Sequence, residues 1–385
     1  MHILIAPNAF KNSLDAIQVA KAIEQGLKQS QLDCTTECFP IADGGDGTGS
    51  LIIERCKGAI VSQQVHDPLG REIDSRFGLI DNGKTAVIEM ADASGLRLLK
   101  RDELNPMQTS SYGTGELINA ALDKGANKII IAMGGSATVD GGCGILNALG
   151  IDFLDKDGKR LKAIPDELLN MVKIDDSGLD RRIHDTEIVI LCDVNNRLLG
   201  PEGAAAVFGP QKGASPSDVK LLDNFLTSFA AVSKAQLGTN MTVIKHGGAA
   251  GGATAGLYTW LNAKLVNGIE YFLSLTGFDQ ALKNADLIIT GEGSIDSQTL
   301  QGKGPYGVAV EAKKRHLPVV GLAGRIPSKP DAELQKYFDA LLSINREFID
   351  MPTAIANTEK NLMETAHGLG DLINSGKLHF HQGNP

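Results

Sequence analysis

Leu287-Ile288-Ile289-Thr290 runs directly into Gly291-Glu292-Gly293. A short apolar run of this kind suits a buried strand. Glycines at 291 and 293 let the backbone bend where a side chain would clash. Asp296 follows, then Lys303 between Gly302 and Gly304, and Pro305 stands where a helix can begin, because its fixed φ suits a first helical turn. A strand that breaks at glycines and restarts as a helix is part of a βα unit, and α/β folds are built from such units. The same stretch carries what phosphoryl transfer needs. Backbone N–H groups and a helix N-terminus hold anionic oxygens, carboxylates hold Mg2+, and a lysine neutralises developing charge. Taken alone, it also reads as an ordinary βα turn with surface acids.

Standard nucleotide motifs do not apply. A Walker A loop needs glycine, four residues, then Gly-Lys-Ser/Thr. Here Gly302-Lys303 is followed by Gly304, and Ser297 stands five before Gly302. The dinucleotide fingerprint needs a third glycine where Gly291-Glu292-Gly293 has Asp296; Gly113/Gly115 and Gly142/Gly144 fail at Ile118 and Asn147. A dehydrogenase for a small hydroxy acid would also be glycine-rich and α/β, but it should carry that fingerprint. A sugar-acid sensor with a DNA-binding arm should carry a basic helix pair, and no such segment stands out.

Length bounds the rest. A chain of 385 residues predicts two domains, or one with a large insertion. Glycine supplies 44 of those residues, well above the usual ~7%, and the excess sits in a few loops. The net charge of −9 without a basic cluster argues against nucleic acid or anionic membrane partners. Five scattered cysteines, Cys34, Cys38, Cys56, Cys143 and Cys192, read as reduced cytosolic thiols. The N-terminus lacks a signal-peptide pattern and no apolar run reaches membrane-spanning length, so a cytoplasmic protein is expected.

Along the chain, Ile3 to Ala6 predicts a strand, with Asn8, Phe10 and Lys11 in the loop after it. Ser13 is the expected cap of a helix whose apolar face is Leu14, Ile17, Ala20, Ile23 and Leu27. Lys11 then stands at a strand's C-terminal end, where open α/β sheets bind ligands. A second strand leads into Ala42-Asp43-Gly44-Gly45-Asp46-Gly47, read as an Mg2+ or hydroxyl-binding loop or as a solvated turn. It lacks the full EF-hand spacing. Residues 59–91 are β-rich, with a hairpin signal at Asp81-Asn82-Gly83. This breaks the βα rhythm and marks an inserted domain. Lys128 to Ala132 predicts a strand feeding Gly134-Gly135-Ser136-Ala137-Thr138-Val139-Asp140-Gly141-Gly142, an expected anion nest of N–H groups and hydroxyls or else a tight turn. Ser136 is not a hydrolase elbow nucleophile, because position 138 is Thr and not Gly. Glu187 to Cys192 predicts a strand delivering Asp193, a metal ligand, a general base or a helix cap. His246 begins a third glycine loop and reads as structural or substrate-contacting. Strands at 318–323 and 340–344, with Gly324-Arg325 between them, and a long helix near 354–374 resume the alternation.

Together these stretches resemble the type I glycerate kinase family of bacteria over nearly the whole chain. The resemblance is carried by Ala6-Pro7 with Phe10-Lys11, Ala42-Asp43-Gly44-Gly45, Thr85-Ala86-Val87-Ile88-Glu89-Met90, Gly113-Thr114-Gly115-Glu116, Gly134-Gly135-Ser136-Ala137-Thr138 with Asp140-Gly141-Gly142, Cys192-Asp193-Val194, Val207-Phe208-Gly209-Pro210-Gln211-Lys212-Gly213, Gly248-Ala249-Ala250-Gly251-Gly252, and Thr290-Gly291-Glu292-Gly293 with Ile295-Asp296. It implies ATP-dependent, Mg2+-assisted phosphorylation of D-glycerate to 2-phosphoglycerate, with a 3-phosphoglycerate product in some members. Asn8-Ala9, Val139, Ser294 and His246-Gly247 depart from the family's usual residues, and an arginine lost at 294 would remove an anion contact.

The resulting expectation is a two-domain α/β protein. Residues 1–65 with 282–385 form a Rossmann-like parallel sheet, and 66–281 form an inserted domain with a mixed sheet, with the active site in the cleft between them. Asp193 and Asp296 are expected as acid–base residues, with Lys11 and Lys303 offsetting charge. Gly134, Gly135, Ser136, Ala137, Thr138, Gly291 and Gly293 are expected to hold the nucleotide, and Asp43 and Glu292 to hold Mg2+. Asn8, Ser136, Asp140 and Arg325 are expected to contact substrate. A homodimer is compatible with the sequence, which does not fix oligomeric state.

Overall fold

The structure is a computed structural model and describes residues 1–329, 332–345 and 350–378. Its strands in chain order are β1 (His2–Ile5), β2 (Thr35–Cys38), β3 (Ala59–His66), β4 (Glu72–Ile80), β5 (Thr85–Glu89), β6 (Lys128–Ala132), β7 (Asp152–Leu154), β8 (Lys173–Asp175), β9 (Glu187–Cys192), β10 (Lys264–Asn267), β11 (Leu287–Ser294), β12 (Val319–Arg325) and β13 (Ala340–Ser343). The chain divides into two compact units, Met1–Asp43 with Ile269–Pro385, and Gly44–Gly268.

The unit built from the chain ends holds a five-stranded sheet in the order β13-β12-β11-β1-β2, with every neighbour parallel. Its central strands are apolar on both faces. Ile3 and Leu287 on one face and Leu4 and Ile288 on the other are fully buried, as strands covered by helices on both sides must be. Each such side chain contributes roughly 1.5–3 kcal/mol of burial. The first helix spans Ala16–Gln29, and its cap is Asp15, not Ser13: Asp15 accepts from the Gln18 N–H and Gln18 reaches back in a capping box. Ser13 instead donates to the Ile355 carbonyl at 2.8 Å. Val19, Ile23 and Leu27 pack with Leu362, Ala366 and Leu369 of the helix Thr358–Asn374. Gly26 permits the contact, since a Cβ there would lie 2.3 Å from the Met363 carbonyl oxygen.

The strand after Asp286 is longer than its sequence suggests. β11 continues through Gly291 and Glu292 to Ser294 and stays paired with β12. Gly291 is therefore a strand residue, not a bend. A Cβ at 291 would stand 2.2 Å from the Leu322 carbonyl oxygen, so glycine is needed for this strand to lie flat beside its neighbour.

The middle unit holds a six-stranded sheet in the order β10-β9-β6-β5-β4-β3. β3, β4 and β5 are antiparallel neighbours, while β5, β6, β9 and β10 run parallel, so the sheet is mixed. The turn between β4 and β5 is the predicted one, with Asn82 at φ 55°. The unit starts earlier than the expected residue 66. β3 pairs along its whole length with β4, so its ladder ties residues 59–66 to this sheet. The unit ends at 268 and not 281, because Leu282 and the helices before it lie in the chain-end unit. Its core gathers Ile129 and Ile131 with Phe153, Phe225 and Phe229. A small ladder, β7 with β8, stands apart from the main sheet.

Candidate functional site

Several expected residues of the chain-end unit meet at the C-terminal ends of β1 and β11. The Asn8 N–H donates to the Gly291 carbonyl at 2.8 Å. The Asn8 amide then donates to Asp43 Oδ2 at 3.0 Å, and its own Oδ1 accepts from the Ala9 N–H. The Gly304 N–H points at the same Asp43 oxygen from 3.4 Å. Gly304 opens the helix Gly304–Lys313, so Asp43 sits at a helix N-terminus, where negative charge is favoured. Glycine is required at this approach, since a Cβ at 304 would lie 2.9 Å from Asn8 Nδ2 and Ile41 Cδ1.

Glu292 is the second carboxylate of this group and is buried. Its Oε1 accepts from the Thr299 hydroxyl at 3.0 Å. Burial pushes its carboxyl up to about 7; Lys303 and the Thr299 bond pull it back, Asp43 pushes it further up, and Lys11 opposes that. Those interactions join Lys11, Asp43, Glu292 and Lys303 into one electrostatic set. Asp296 has a different job in the fold. Its Oδ1 accepts from the Gln298 N–H at 2.8 Å and its Oδ2 from the Ser294 hydroxyl at 3.3 Å, which closes the turn after β11. Arg325 ends β12 beside Ser294 and is exposed. A Cβ at Gly293 would meet nothing within 4 Å, so this glycine is not sterically demanded.

The second group lies in the middle unit, after β6. Here the expected phosphate nest is largely closed on itself. Gly134 donates its N–H to the Gly44 carbonyl and Ala137 donates to Ser94. Gly141 donates to Gly251, and Gly142 and Gly144 donate to the Asp140 carboxylate. The glycines serve main chain meeting main chain. A Cβ at Gly134 would lie 2.5 Å from Gly45, and one at Gly251 would lie 2.1 Å from the Thr138 carbonyl oxygen. Asp140 is a framework residue and not a substrate contact. It is fully buried, and its Oδ2 also accepts from the Ser111 N–H and hydroxyl at 2.8 and 2.6 Å.

What this loop does present is Ser136 with Lys212. Lys212 is 2% exposed, yet its ammonium donates to Ser136 Oγ at 2.8 Å and to the Thr138 carbonyl at 2.7 Å. Among the described residues no carboxylate pairs with it. Burial lowers its pKa to about 7, with Asp140 acting in the opposite direction. The Thr138 hydroxyl beside it is buried without a hydrogen-bond partner. A buried cation with no counter-charge is a mark of a functional site. Sequence reasoning gives Lys212 no role. A lysine in a polar loop gives no sign of burial, and its one visible signal is the glycine-bounded Phe208 to Gly213 segment.

Asp193 leaves the end of β9 partly buried. His246, at φ 68°, places its Nδ1 2.6 Å from the Val194 carbonyl, which fits the structural reading. The two aspartates of the 42–47 loop part company. Asp43 bonds Asn8, whereas Asp46 pairs with Arg97 at 2.6 Å, and Arg97 also holds Asp92. Among the described residues no disulfide joins any of the five cysteines, no group of three or more His, Cys, Asp and Glu is arranged to hold a metal, and no helix is long and apolar enough to cross a membrane.

A sequence profile of the glycerate kinase family matches residues 3–374. The glycerate kinase of Bacillus subtilis (strain 168) is 43% identical over 99% of this chain and 100% of its own. The glycerate 2-kinase of Escherichia coli (strain K12) is 41% identical over 98% of this chain and 99% of its own. A crystal structure from Salmonella typhimurium LT2, named as a glycerate kinase 2, superposes with a TM-score of 0.82 at 42% identity, covering 98% of this chain and 99% of that one.

Proposed function

Because the chain belongs to the glycerate kinase family, we propose that it transfers the γ-phosphoryl group of ATP to D-glycerate with Mg2+, giving ADP and 2-phosphoglycerate. The observation that carries the reading is the set formed by Lys11, Asp43, Glu292 and Lys303 at the C-terminal ends of β1 and β11. The choice of the 2-hydroxyl follows the name of the Escherichia coli relative.

The donor set suits the magnesium of a nucleotide. Asp43 Oδ2 and Glu292 Oε1 are engaged by Asn8 and Thr299, which leaves one oxygen of each carboxylate for the ion. Mg2+ favours one or two carboxylates completed by phosphate oxygens and water. When bound, it would neutralise charge on those oxygens. Lys11 and Lys303 offset the charge that remains as the bond to the leaving ADP breaks. Asp296, aimed by the Gln298 N–H and the Ser294 hydroxyl, takes the proton of the attacking hydroxyl. Positioning and charge stabilisation supply most of the rate in such reactions.

A coupled ADP-release assay with D-glycerate, followed by 31P NMR of the product, tests the proposal. ADP release that depends on D-glycerate and a 2-phosphoglycerate signal are expected. No D-glycerate-dependent ADP release overturns the activity, and a 3-phosphoglycerate signal overturns the position.

A further inference from the structure

A hollow of about 780 Å³ opens within the chain-end unit. It lies at the C-terminal ends of β11, β12 and β13, against the helix Met351–Ala356. Its inner faces are apolar: Phe10, Ile326, Ile344, Ala354 and Ile355 line it. Three polar side chains in its wall are already used. Ser13 donates to the Ile355 carbonyl at 2.8 Å, Thr358 to the Ala354 carbonyl at 3.0 Å, and Asn345 to the Gly324 carbonyl at 2.8 Å. These bonds fix the wall in place and turn its hydrocarbon inward. Lys11 and Arg325 also line the hollow. Both are exposed, and among the described residues neither has an ion-pair partner.

We propose that this hollow takes the nucleoside of the nucleoside triphosphate, with the phosphate chain running over Lys11 and Arg325. The assignment rests on the kinase reading above and names which part of which substrate fills which space. Size separates the two substrates. Sites of roughly 300–1,000 Å³ enclose drug-sized molecules, and a three-carbon acid would leave most of this one empty. Chemistry agrees, because an apolar chamber with paired cations on it matches a flat base and sugar that end in a polyanion. Position agrees too, since open parallel sheets bind nucleotides at strand C-terminal ends.

The test uses the full chain and fluorescent mant-ATP without D-glycerate. Ala354→Trp and Ile326→Trp each fill the chamber from a half-buried position. Each is expected to weaken mant-ATP binding and raise the KM for ATP by at least ~10-fold, while the KM for D-glycerate stays within ~2-fold. Wild-type mant-ATP affinity in either folded variant overturns the assignment, as does a rise in the D-glycerate KM alone. Should a variant not fold, photolabelling of the wild type with 8-azido-ATP decides. Label on peptides containing Phe10–Ser13 or Met351–Ile355 supports the assignment, and label confined to residues 44–268 refutes it. Wild-type turnover with unaffected variants refutes only the chamber, whereas a wild type that neither binds mant-ATP nor turns over refutes the kinase reading and the chamber together.

Discussion

Replacing Lys212 with methionine should separate stability from activity. Methionine keeps the unbranched chain out to the ε position, with sulfur in place of one methylene, and removes the amine. In the folded chain the amine's pKa falls from 10.5 to about 7. At about 1.4 kcal/mol per pH unit, that fall is worth about 5 kcal/mol. The two hydrogen bonds to Ser136 and Thr138 return about 1 kcal/mol each, and an orphaned Thr138 carbonyl in the variant costs ~1–3 kcal/mol. At pH 7 the variant should therefore be as stable as the wild type, or up to about 2 kcal/mol more stable. The sign then changes with pH. Between about 7 and 10.5 the unfolded chain holds a proton that the folded chain has released, so the wild type gains about 1.4 kcal/mol per pH unit over the variant. By pH 10 the variant should be the weaker by about 3 kcal/mol. Urea unfolding at pH 7, 8.5 and 10 reads this directly. The one tryptophan, Trp260, is buried in the same unit with its indole N–H on Ser233, so its fluorescence follows the unit that holds Lys212. Other titrating groups cancel between the two proteins. If the lysine serves the reaction, kcat/KM should fall at least ~100-fold in a variant that is no less stable at pH 7. Parallel stability profiles across this pH range would refute the buried-amine argument, and unchanged kcat/KM would refute the functional one.

Three further outcomes are expected. Asp296→Asn should lower turnover by at least ~100-fold, measured by ADP release, with a melting temperature within a few degrees of wild type because the amide oxygen still accepts from the Gln298 N–H. Glu89 is held up to about 7 by burial, then by Asp92, while the Gly49 N–H bond opposes this. Its folded form keeps a proton between 4.5 and about 7 that the unfolded chain has lost. Stability therefore falls as pH rises through that window, and Glu89→Gln should gain up to about 3 kcal/mol on the wild type between pH 5 and 8 by urea unfolding. Gly304→Ala places a methyl group 2.9 Å from the Asn8 amide; it should cost ~1–3 kcal/mol and lower kcat by displacing Asn8 from Asp43, and an unchanged kcat would mean that this contact does not position the acid.

The alternation of strands and helices and the hairpin at Asn82 were legible because each depends on neighbours close in sequence, and the parallel sheet was expected from that alternation at both chain ends, although β1 pairs with β11 far along the chain. Apolar runs mark strands, and a residue that tolerates positive φ marks a turn. The features that escaped depend on partners far along the chain. Gly291 looks like a break, but it is a strand residue because the Leu322 carbonyl needs its space. The β-rich change at residue 59 was visible, but the boundary set at 66 cuts through β3, whose pairing with β4 ties 59–66 to the middle unit. Gly134 and Gly251 signal close backbone approach correctly, yet a sequence cannot say whether the approaching group is a phosphate or Gly45. That ambiguity decides how the loops should be weighed. A glycine whose missing side chain is filled by protein backbone explains itself without a ligand. A charge that the fold buries without a counter-charge does not: Lys212 is buried where an apolar residue would cost less. Such a buried charge points to an anion that arrives from outside, and the glycine loops point to one only where such a charge stands beside them, as Lys212 stands beside Ser136.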